Sequence, residues 1–338
     1  MNNGGITVSI ASGLNDTIFG KVQVPMKSYL LKRAEAFEQE SVLDKLFRME
    51  KSEHWAEGYS GETAMDDFVP VGEGGAYPQS DFSAGYLQSL VNETWKNSFA
   101  VTKELVEDAQ LGAMRQRANK LITSYYRTRE KFGRYLYAGG LVGTTVAFGA
   151  KSFKCSSADG QALFSKTHPA KVKGAQQTNL YAGSFTAANL GEVETRMQNL
   201  RGDNGEVLGI SPDTIWIPND ATLKKTVFEV IGADKDPATS NNAFNYQYGR
   251  WNVICDPYLT MALSDLGISD KPWLLLDSKF LGVADGAIFQ DRVKLNVRSV
   301  VDDNNDDNKW LGRARWTGGF VDWRFVSAGG VTGGTSLG

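Results

Sequence analysis

The sequence has 338 residues, of which 41% are hydrophobic, 22% charged and 11% aromatic, and its formal net charge is −3. This composition is that of an ordinary globular protein and excludes the disordered, collagen-like and disulfide-rich classes. The near-neutral charge gives little attraction to polyanions, which argues against a dedicated nucleic-acid binder. The length allows one large domain or two closely joined domains.

The sequence shows no targeting signal or membrane-spanning stretch, and its two cysteines form no recognisable metal or disulfide pattern. Residues 1–14 are rich in Gly, Asn and Ser, without the basic and apolar runs of a secretory signal. The longest apolar stretches, such as Trp273 to Leu276, are far shorter than the roughly 20 residues of a membrane-spanning helix. Cys155 and Cys255 are far apart and lack a CxxC or His cluster, which predicts two reduced thiols. We therefore expect a cytosolic product without a membrane segment.

The first hundred residues predict an arm and a hairpin that have no core of their own and must rest on another surface. Residues 1–26 are polar and precede a charged, helix-compatible stretch, so residues 1–51 are predicted to form an extended arm. Residues 52–101 predict one long hairpin with a glycine-rich tip at residues 72–78. Its second strand places Val91, Trp95 and Phe99 on one face. Because a two-stranded ribbon alone is marginal in water, this face must rest on another surface.

A long helix follows. Residues 103–137 lack proline and repeat apolar residues at helical spacing, and Gly139 with Gly140 supplies a predicted stop. A helix of this length is about three times the ~11–12 residues of an average one, so it is predicted to be an architectural spine. Its basic residues could meet DNA or an acidic neighbour, although a solvated helix face is at least as good an interpretation. These residues are Arg115, Arg117, Lys120, Arg127 and Arg134.

The second half of the chain predicts an α/β region and closing strands. A helix is expected from Ala187 to Leu200, and another to Ile231 that begins after a cap at Asn219 or Asp220. Strands are expected at residues 214–218, 251–255, 273–276, 288–300 and 313–326, with a bulge at Gly318 and Gly319. The predicted fold class is α+β.

The sequence offers little catalytic chemistry. His54 and His168 are the only histidines, and both are interpreted as structural or surface residues because neither lies in a nucleophile or ligand motif. No GxSxG, HExxH or phosphate-binding loop pattern occurs. We therefore expect no catalytic residues and no cofactor.

The best metal candidate is the acidic stretch from Asp302 to Asn308. It opens like a calcium loop, but Asp307 stands where the tight turn needs Gly and Arg313 where a bidentate Glu is needed. A solvated turn is the favoured interpretation, so no metal is predicted. Tryptophans 216, 251 and 273 lie in apolar strand-like runs, which favours core packing over sugar binding.

The order of these parts resembles the tailed-phage major capsid fold named for phage Hong Kong 97, and in particular the head subunits of Mu-like phages. The likeness rests on residues 95–105 (WKNSFAVTKEL), 159–169 (DGQALFSKTHP) and 212–218 (PDTIWIP). Residues 273–277 (WLLLD) and 318–324 (GGFVDWR) continue it. It spans nearly the whole chain.

The resemblance implies a domain division and a role. Residues 52–101 would be an extended loop lying over an adjacent subunit, 102–204 with 291–338 a peripheral domain, and 205–290 an axial domain. The chain would be a non-enzymatic subunit of an icosahedral head, assembling as hexamers and pentamers around packaged double-stranded DNA. It would reside in the virion, and in the host cytoplasm during assembly. The implied inter-subunit contacts are Phe68, Val69, Val71, Tyr77, Phe82, Tyr86, Val91, Trp95 and Phe99.

The resemblance also implies partners. Besides itself, the subunit would meet a scaffold or maturation protease, portal and decoration proteins, and DNA weakly and without sequence specificity. Some relatives lock their shells by a bond between a loop lysine and a neighbour's asparagine. No lysine occurs here between Lys51 and Lys96, so a non-covalent shell is expected.

Two alternatives stay open from the sequence. A cellular encapsulin-like compartment would use the same fold but hold a cargo enzyme instead of DNA. A hydrolase would need a pocket that gathers His54 or His168 with carboxylates.

Overall fold

A computed structural model describes residues 7–9, 32, 34–38, 41–62, 69–77, 79, 84–107, 111–172, 174–232, 244–283, 286–302 and 307–337. Helices lie at Leu43–Leu46, Lys103–Glu107, Leu111–Val142 (the spine helix), Ala187–Gln198, Ala221–Ile231, Pro257–Asp265 and Ser278–Val283. The strands are β1 Thr7–Ser9, β2 Arg48–Lys51, β3 Ala56–Glu62, β4 Ala84–Val91, β5 Glu93–Val101, β6 Thr145–Phe148, β7 Lys151–Lys154, β8 Thr214–Pro218, β9 Asn252–Asp256, β10 Trp273–Leu276, β11 Ala287–Val301, β12 Asn308–Phe320 and β13 Val326–Gly329.

Two larger sheets organise these elements. The first has the order β1-β11-β12-β5, and β2 also pairs with β11. Its long strands β11, β12 and β5 are antiparallel, whereas β1 and β2 run parallel to β11. The second sheet has the order β13-β10-β8-β9. The pairs β3–β4 and β6–β7 form separate two-stranded ribbons.

The spine helix joins the two sheets through aromatic side chains. Phe132 lies edge-on to Trp316 of the first sheet, with ring centroids 5.0 Å apart. One turn further along, Tyr137 lies edge-on to Trp216 of the second sheet at 4.9 Å. Such edge-to-face pairs contribute beyond their buried area. The core is therefore continuous along the C-terminal half of the helix.

Most predicted elements of the second half are confirmed. Strands 214–218 and 273–276 have the predicted bounds, and the helix from Ala187 ends at Gln198. Asp220 caps the next helix, because its Oδ1 accepts a hydrogen bond from Leu223 N at 2.9 Å. These elements were predictable because caps and buried apolar runs are local signals.

The predicted end of the spine helix is wrong. The helix continues through Gly139 and Gly140 to Val142. A Cβ on Gly139 would lie 2.5 Å from Val146 Cβ and 2.7 Å from Cys155 Sγ. Glycine is needed here for close packing against the β6–β7 ribbon rather than as a terminator.

The predicted single ribbon over residues 52–101 is also wrong. The chain forms two successive strands separated by Asn92: β4 pairs with β3, whereas β5 pairs with β12 of the first sheet. Of the predicted first strand at residues 64–71, only 69–71 are described, and they are not a strand. The second half of the ribbon is thus part of the subunit body.

Two further expectations need correction. β12 pairs regularly with β11 at Gly318 and Gly319, and the irregular register lies between Asp291 and Asn296 of β11. A side chain at Gly319 would collide with Leu90, which explains the glycine without a bulge. The predicted arm is partly embedded, since Leu43 and Phe47 are buried in the main core.

Candidate assembly surfaces

The β3–β4 hairpin has two different faces. The inner face carries Tyr59, Gln88 and Leu90, which are partly or fully buried against the body. On the outer face Ala56, Gly58 and Ser60 lie directly opposite Val91, Ser89 and Leu87. The outer face is uncharged, and Leu87 on it is 67% exposed. It is therefore a flat surface that the described chain leaves uncovered.

A buried polar network holds the hairpin at its root. Gln290 of β11 donates its Nε2 protons to Leu90 O at 3.1 Å and to Asn92 Oδ1 at 3.0 Å. Asn92 Nδ2 donates in turn to Ser52 Oγ at 2.7 Å. Gln290, Asn92 and Ser52 are all buried, so their hydrogen bonds cannot be replaced by water without opening the root. The network fixes where the hairpin leaves the sheet.

A second attachment lies further along β4. Gln88 Nε2 donates to Ser156 O at 3.0 Å. Lys171 donates to Gly85 O, and its ammonium lies over the Tyr86 ring, 5.1 Å from the centroid. The loop at residues 156–172 therefore supports the inner face of the hairpin.

The predicted inter-subunit residues fall into three groups. Val69, Val71, Tyr77 and Val91 are exposed, with Tyr77 at 95%, and Tyr86 is half-buried. Phe68 and Phe82 lie outside the described residues. The sequence reasoning missed Trp55 and Leu87, which are as exposed as the others. Leu87 could have been found, because it has the same strand parity as Val91.

Trp95 and Phe99 belong to the third group and must be corrected. The Trp95 ring stacks on Trp316 of the neighbouring strand at a centroid distance of 4.1 Å, and its Nε1 donates to Trp316 O at 3.0 Å. Phe99 lies parallel to Trp310 at 6.0 Å. Both side chains pack within their own subunit, so they are not offered further as contacts between subunits.

The described basic residues of this predicted set lie on one side of the spine helix, but they are not all exposed. Arg117, Lys120 and Arg127 are exposed, whereas Arg134 is 1% exposed. The side chain of Arg115 lies outside the described set. The prediction for Arg134 is wrong, because this residue turns into the core at the point where the helix meets the second sheet.

Arg134 forms an ion pair that connects three elements. Its Nε donates to Asp256 Oδ2 at 2.6 Å, and its guanidinium also pairs with Glu130 one turn earlier. The other oxygen of Asp256 accepts from Tyr258 N at 2.8 Å and so caps the helix that follows. Breaking a buried pair of this kind leaves an uncompensated charge. The interaction is structural.

The histidines were predicted to be structural or surface residues. His54 is exposed. His168 is fully buried, stacks on Trp323 at 4.0 Å and places Nδ1 2.6 Å from Asp159 Oδ2. Its Nε2 lies 3.2 Å from Asn179 Oδ1. Both ring nitrogens thus face groups of the protein interior rather than a nucleophile, which supports the interpretation of His168 as a structural residue.

The acidic turn that begins at Asp302 was the sequence's best candidate for a metal site. Across the described ranges, no three His, Cys, Asp or Glu side chains are placed to hold a metal ion. In the acidic turn, Asp302 N donates to Asp307 O at 2.9 Å and the Asp302 carboxylate pairs with Lys309. Residues 303–306 of this turn lie outside the description.

Cys155 and Cys255 are free thiols. No helix in the described part of the chain is long and apolar enough to span a bilayer.

Comparison with solved structures gives the fold. The capsid structure of cyanophage P-SCSP1u matches with a TM-score of 0.51 at 8% identity, covering 86% of this chain and 88% of that chain. The capsid of Ralstonia phage GP4 also matches with a TM-score of 0.51, at 10% identity and with coverage of 86% and 88%. No curated protein matches the sequence.

A family model establishes the assignment. The model described as phage capsid protein matches residues 90–328, which is more than half of the chain. The matched region runs from the end of β4 through the spine helix and both sheets to β13. This chain therefore belongs to the phage capsid protein family and is a structural subunit of the virion shell.

Proposed function

We propose that the subunit assembles as hexamers and pentamers of an icosahedral head around packaged double-stranded DNA, with its β3–β4 hairpin lying over a neighbouring subunit. The observation that carries this proposal is the uncharged outer face of the hairpin. Leu87 and Val91 are exposed there, next to small side chains that allow close approach. Burying such a face contributes about 25 cal/mol per Å² of apolar area.

The residues between the two hairpin strands support the same interpretation. Val69, Val71 and Tyr77 are exposed in a segment that also holds Gly72, Gly74 and Gly75. Exposed apolar side chains gathered in one segment mark interaction sites more often than single ones do. A neighbouring subunit would cover them, and repetition around a closed ring would satisfy every copy.

Contact with DNA is proposed to be weak. The chain has a net charge of −3, and among the described side chains of the spine helix the exposed cations are Arg117, Lys120 and Arg127. Such a surface tolerates DNA without gripping it. Scaffold, maturation protease, portal and decoration proteins stay predictions from the resemblance, as does the division into peripheral and axial domains. An encapsulin-like compartment would instead give particles that contain a cargo enzyme and no DNA.

The test is to replace residues 63–83 by a two-residue glycine-serine turn. Both hairpin strands and the root network remain, so the subunit should fold, as circular dichroism and a cooperative melt would show. Electron microscopy and sedimentation should find no closed shells. Shells at the wild-type yield would contradict the proposal, and an unfolded product would show that the segment belongs to the core.

A further inference from the structure

The buried ring of His168 has an oxygen atom next to each of its two nitrogens. The side chains of His168 and Asp159 are 0% and 3% exposed. Nδ1 lies 2.6 Å from Asp159 Oδ2, and Nε2 lies 3.2 Å from Asn179 Oδ1. A neutral imidazole carries one N–H, so it can donate a hydrogen bond to only one of these oxygens. The number of protons on the ring therefore depends on whether both oxygens are acceptors.

The amide of Asn179 turns its oxygen towards His168. Its Nδ2 donates to Leu163 O at 2.8 Å and to Val326 O at 3.1 Å, and its Oδ1 accepts from Ser165 N at 3.0 Å. Exchanging the nitrogen and the oxygen of this amide would break all three bonds and bring donors against donors and acceptors against acceptors. Asn179 therefore offers an acceptor, to which Nε2 of His168 must donate.

The carboxyl group of Asp159 is ionised in these surroundings. Its Oδ1 accepts hydrogen bonds from Gln161 N at 3.0 Å and from the Ser157 hydroxyl, while Oδ2 faces His168. Burial alone would raise the pKa of Asp159, but the hydrogen bonds from His168 and Ser157 outweigh burial and lower that pKa. The proton between the two side chains therefore belongs to Nδ1 of His168.

The other surroundings of His168 also suit a cation. The indole of Trp323 stacks on the imidazole with ring centroids 4.0 Å apart and planes 9° apart, and the face of an indole attracts positive charge. The remaining charged or titratable side chains that the structure describes around this pair are Arg324, Asp203, Asp322, Tyr86 and Lys171. The guanidinium among them is paired with both aspartates of that list, so its charge is compensated within the same cluster.

The ion pair of Asp159 and His168 closes the loop on which the hairpin rests. The loop contacts β4 on both sides of this pair, through Ser156 before it and Lys171 after it. Without the pair, the residues between these two contacts lose the link that holds them in one shape. The charge on His168 is therefore coupled to the support of the hairpin.

We propose that His168 carries a proton on each ring nitrogen at neutral pH, and that loss of one proton in alkaline solution releases the loop beneath the hairpin. A ring with one proton leaves a bare nitrogen against Asn179 Oδ1 or against the Asp159 carboxylate. Either arrangement sets two acceptors together in a buried site, which is costly. Because the folded state holds the extra proton, its contribution to stability is present at lower pH and is lost as the pH rises. Only the effect on shells rests on the proposed function; the charge of His168 does not.

The number of protons can be measured directly, because the chain has only two histidines. Full-length protein with isotope-labelled histidine nitrogens is sedimented as shells for magic-angle-spinning NMR, or kept as subunits in solution where no shells form. His54→Gln assigns the two sets of signals. At about pH 7.5 both nitrogens of His168 should carry a proton and have the chemical shifts of an imidazolium. A ring with one bare nitrogen at that pH would overturn the proposal.

Release of the loop is measured by trypsin cleavage after Lys166 and Lys171, both of which are exposed. A reporter peptide in the same tube corrects for the pH dependence of trypsin itself. From about pH 7.5 to about pH 9.5 the corrected rate should rise about tenfold in the wild type, since the clasp loses its proton over that interval.

Two variants connect the release to this pair. Asp159→Asn should be cleaved rapidly already at the lower pH, because a neutral amide no longer favours the second proton. His168→Gln should be cleaved at a rate that does not change with pH. The matched control is Glu229→Gln, which alters an exposed carboxyl on a distant helix and should follow the wild type.

An equal rise of the cleavage rate in the wild type and in His168→Gln would assign the release to another group and overturn the proposal. Where circular dichroism shows that a variant does not fold, the NMR measurement on the wild type still decides the charge. Shells that form despite replacement of residues 63–83 would remove the proposed function and leave an imidazolium at His168 standing. A neutral His168 in a chain whose shells depend on residues 63–83 would do the reverse.

Discussion

Strands β4 and β5 follow one another with only Asn92 between them, yet they serve different purposes. β4 is half of a hairpin whose outer face is exposed, whereas β5 lies in the first sheet with Trp95 packed into the aromatic core. β4 has apolar residues on both faces, Leu90 on the buried inner face and Leu87 and Val91 on the exposed outer face. An apolar face in a strand sequence therefore indicates that something covers it, but not whether its own chain or another chain does.

The packing around the two strands explains the difference. Trp95 contacts Trp316 by stacking and lies within 6 Å of Phe132 and Phe153, so it is surrounded by rings of its own subunit. Leu87 on β4 is opposite Ser60, and no ring of the residues that the structure describes packs on its exposed side. β5 therefore stabilises the subunit, whereas the outer face of β4 is the surface proposed to contact a neighbouring subunit.

The largest expected effect is that of Trp95→Ala. Truncating a large aromatic side chain in a core lowers the free energy of unfolding by about 3–5 kcal/mol. The matched change on the other strand, Leu87→Ala, should alter the stability of the free subunit by less than about 0.5 kcal/mol but reduce shell yield. Urea unfolding of the unassembled subunits measures the first quantity and sedimentation the second. Equal destabilisation by the two changes would show that the hairpin is part of the core.

Two glycine substitutions, one in the subunit body and one in the hairpin, test the same comparison with a smaller expected change in stability. Gly139→Ala should destabilise the subunit by about 1–3 kcal/mol, because the new methyl group would overlap Val146 and Cys155. Gly72→Ala, in the segment between the hairpin strands, meets nothing within 4 Å and should leave the melting temperature nearly unchanged. A thermal melt of each free subunit is the measurement. An unchanged melting temperature for Gly139→Ala would mean that the β6–β7 ribbon moves aside at little cost.

Local signals explain what could be predicted from the sequence. The cap at Asp220, the buried run at residues 214–218 and the length of the spine were accessible because each depends on neighbours in the chain. The division of the ribbon at Asn92 was not, because it depends on β12, more than 200 residues away. Gly139 was misjudged for a similar reason: the Cys155 side chain that excludes a Cβ comes from a different element.

For the candidate surfaces, too, the sequence predicted local features but not contacts between distant elements. Exposed apolar residues such as Tyr77 and Val91 were found from alternation and turn composition. The burial of Arg134 could not be foreseen, because its partner Asp256 becomes adjacent only when the second sheet packs on the helix.

The smallest expected effect concerns pH and the root of the hairpin. The carboxylate of Glu57 accepts hydrogen bonds from His54 N at 3.0 Å, Ser52 Oγ at 2.8 Å and Glu53 N at 2.8 Å. These bonds, first of all the one from the His54 backbone, lower the pKa of Glu57 from 4.5 to about 2. The turn that opens the hairpin is therefore held by an ionised side chain.

The sign of the pH dependence follows from that shift. A carboxyl whose pKa is lower in the folded state contributes stability above its unfolded pKa of 4.5, and this contribution is lost as the pH falls towards 2. Acid should thus loosen the hairpin root before it unfolds the core, and pepsin should cleave between residues 53 and 91 first. Glu57→Gln cannot ionise, so at pH 4.5 its cleavage should already resemble that of the wild type at lower pH. Glu53→Gln, which changes an exposed carboxyl and keeps the backbone donor, should behave as the wild type. If Glu57→Gln and the wild type were cleaved equally at pH 4.5, the hydrogen bonds of the Glu57 carboxylate would not be what holds the turn.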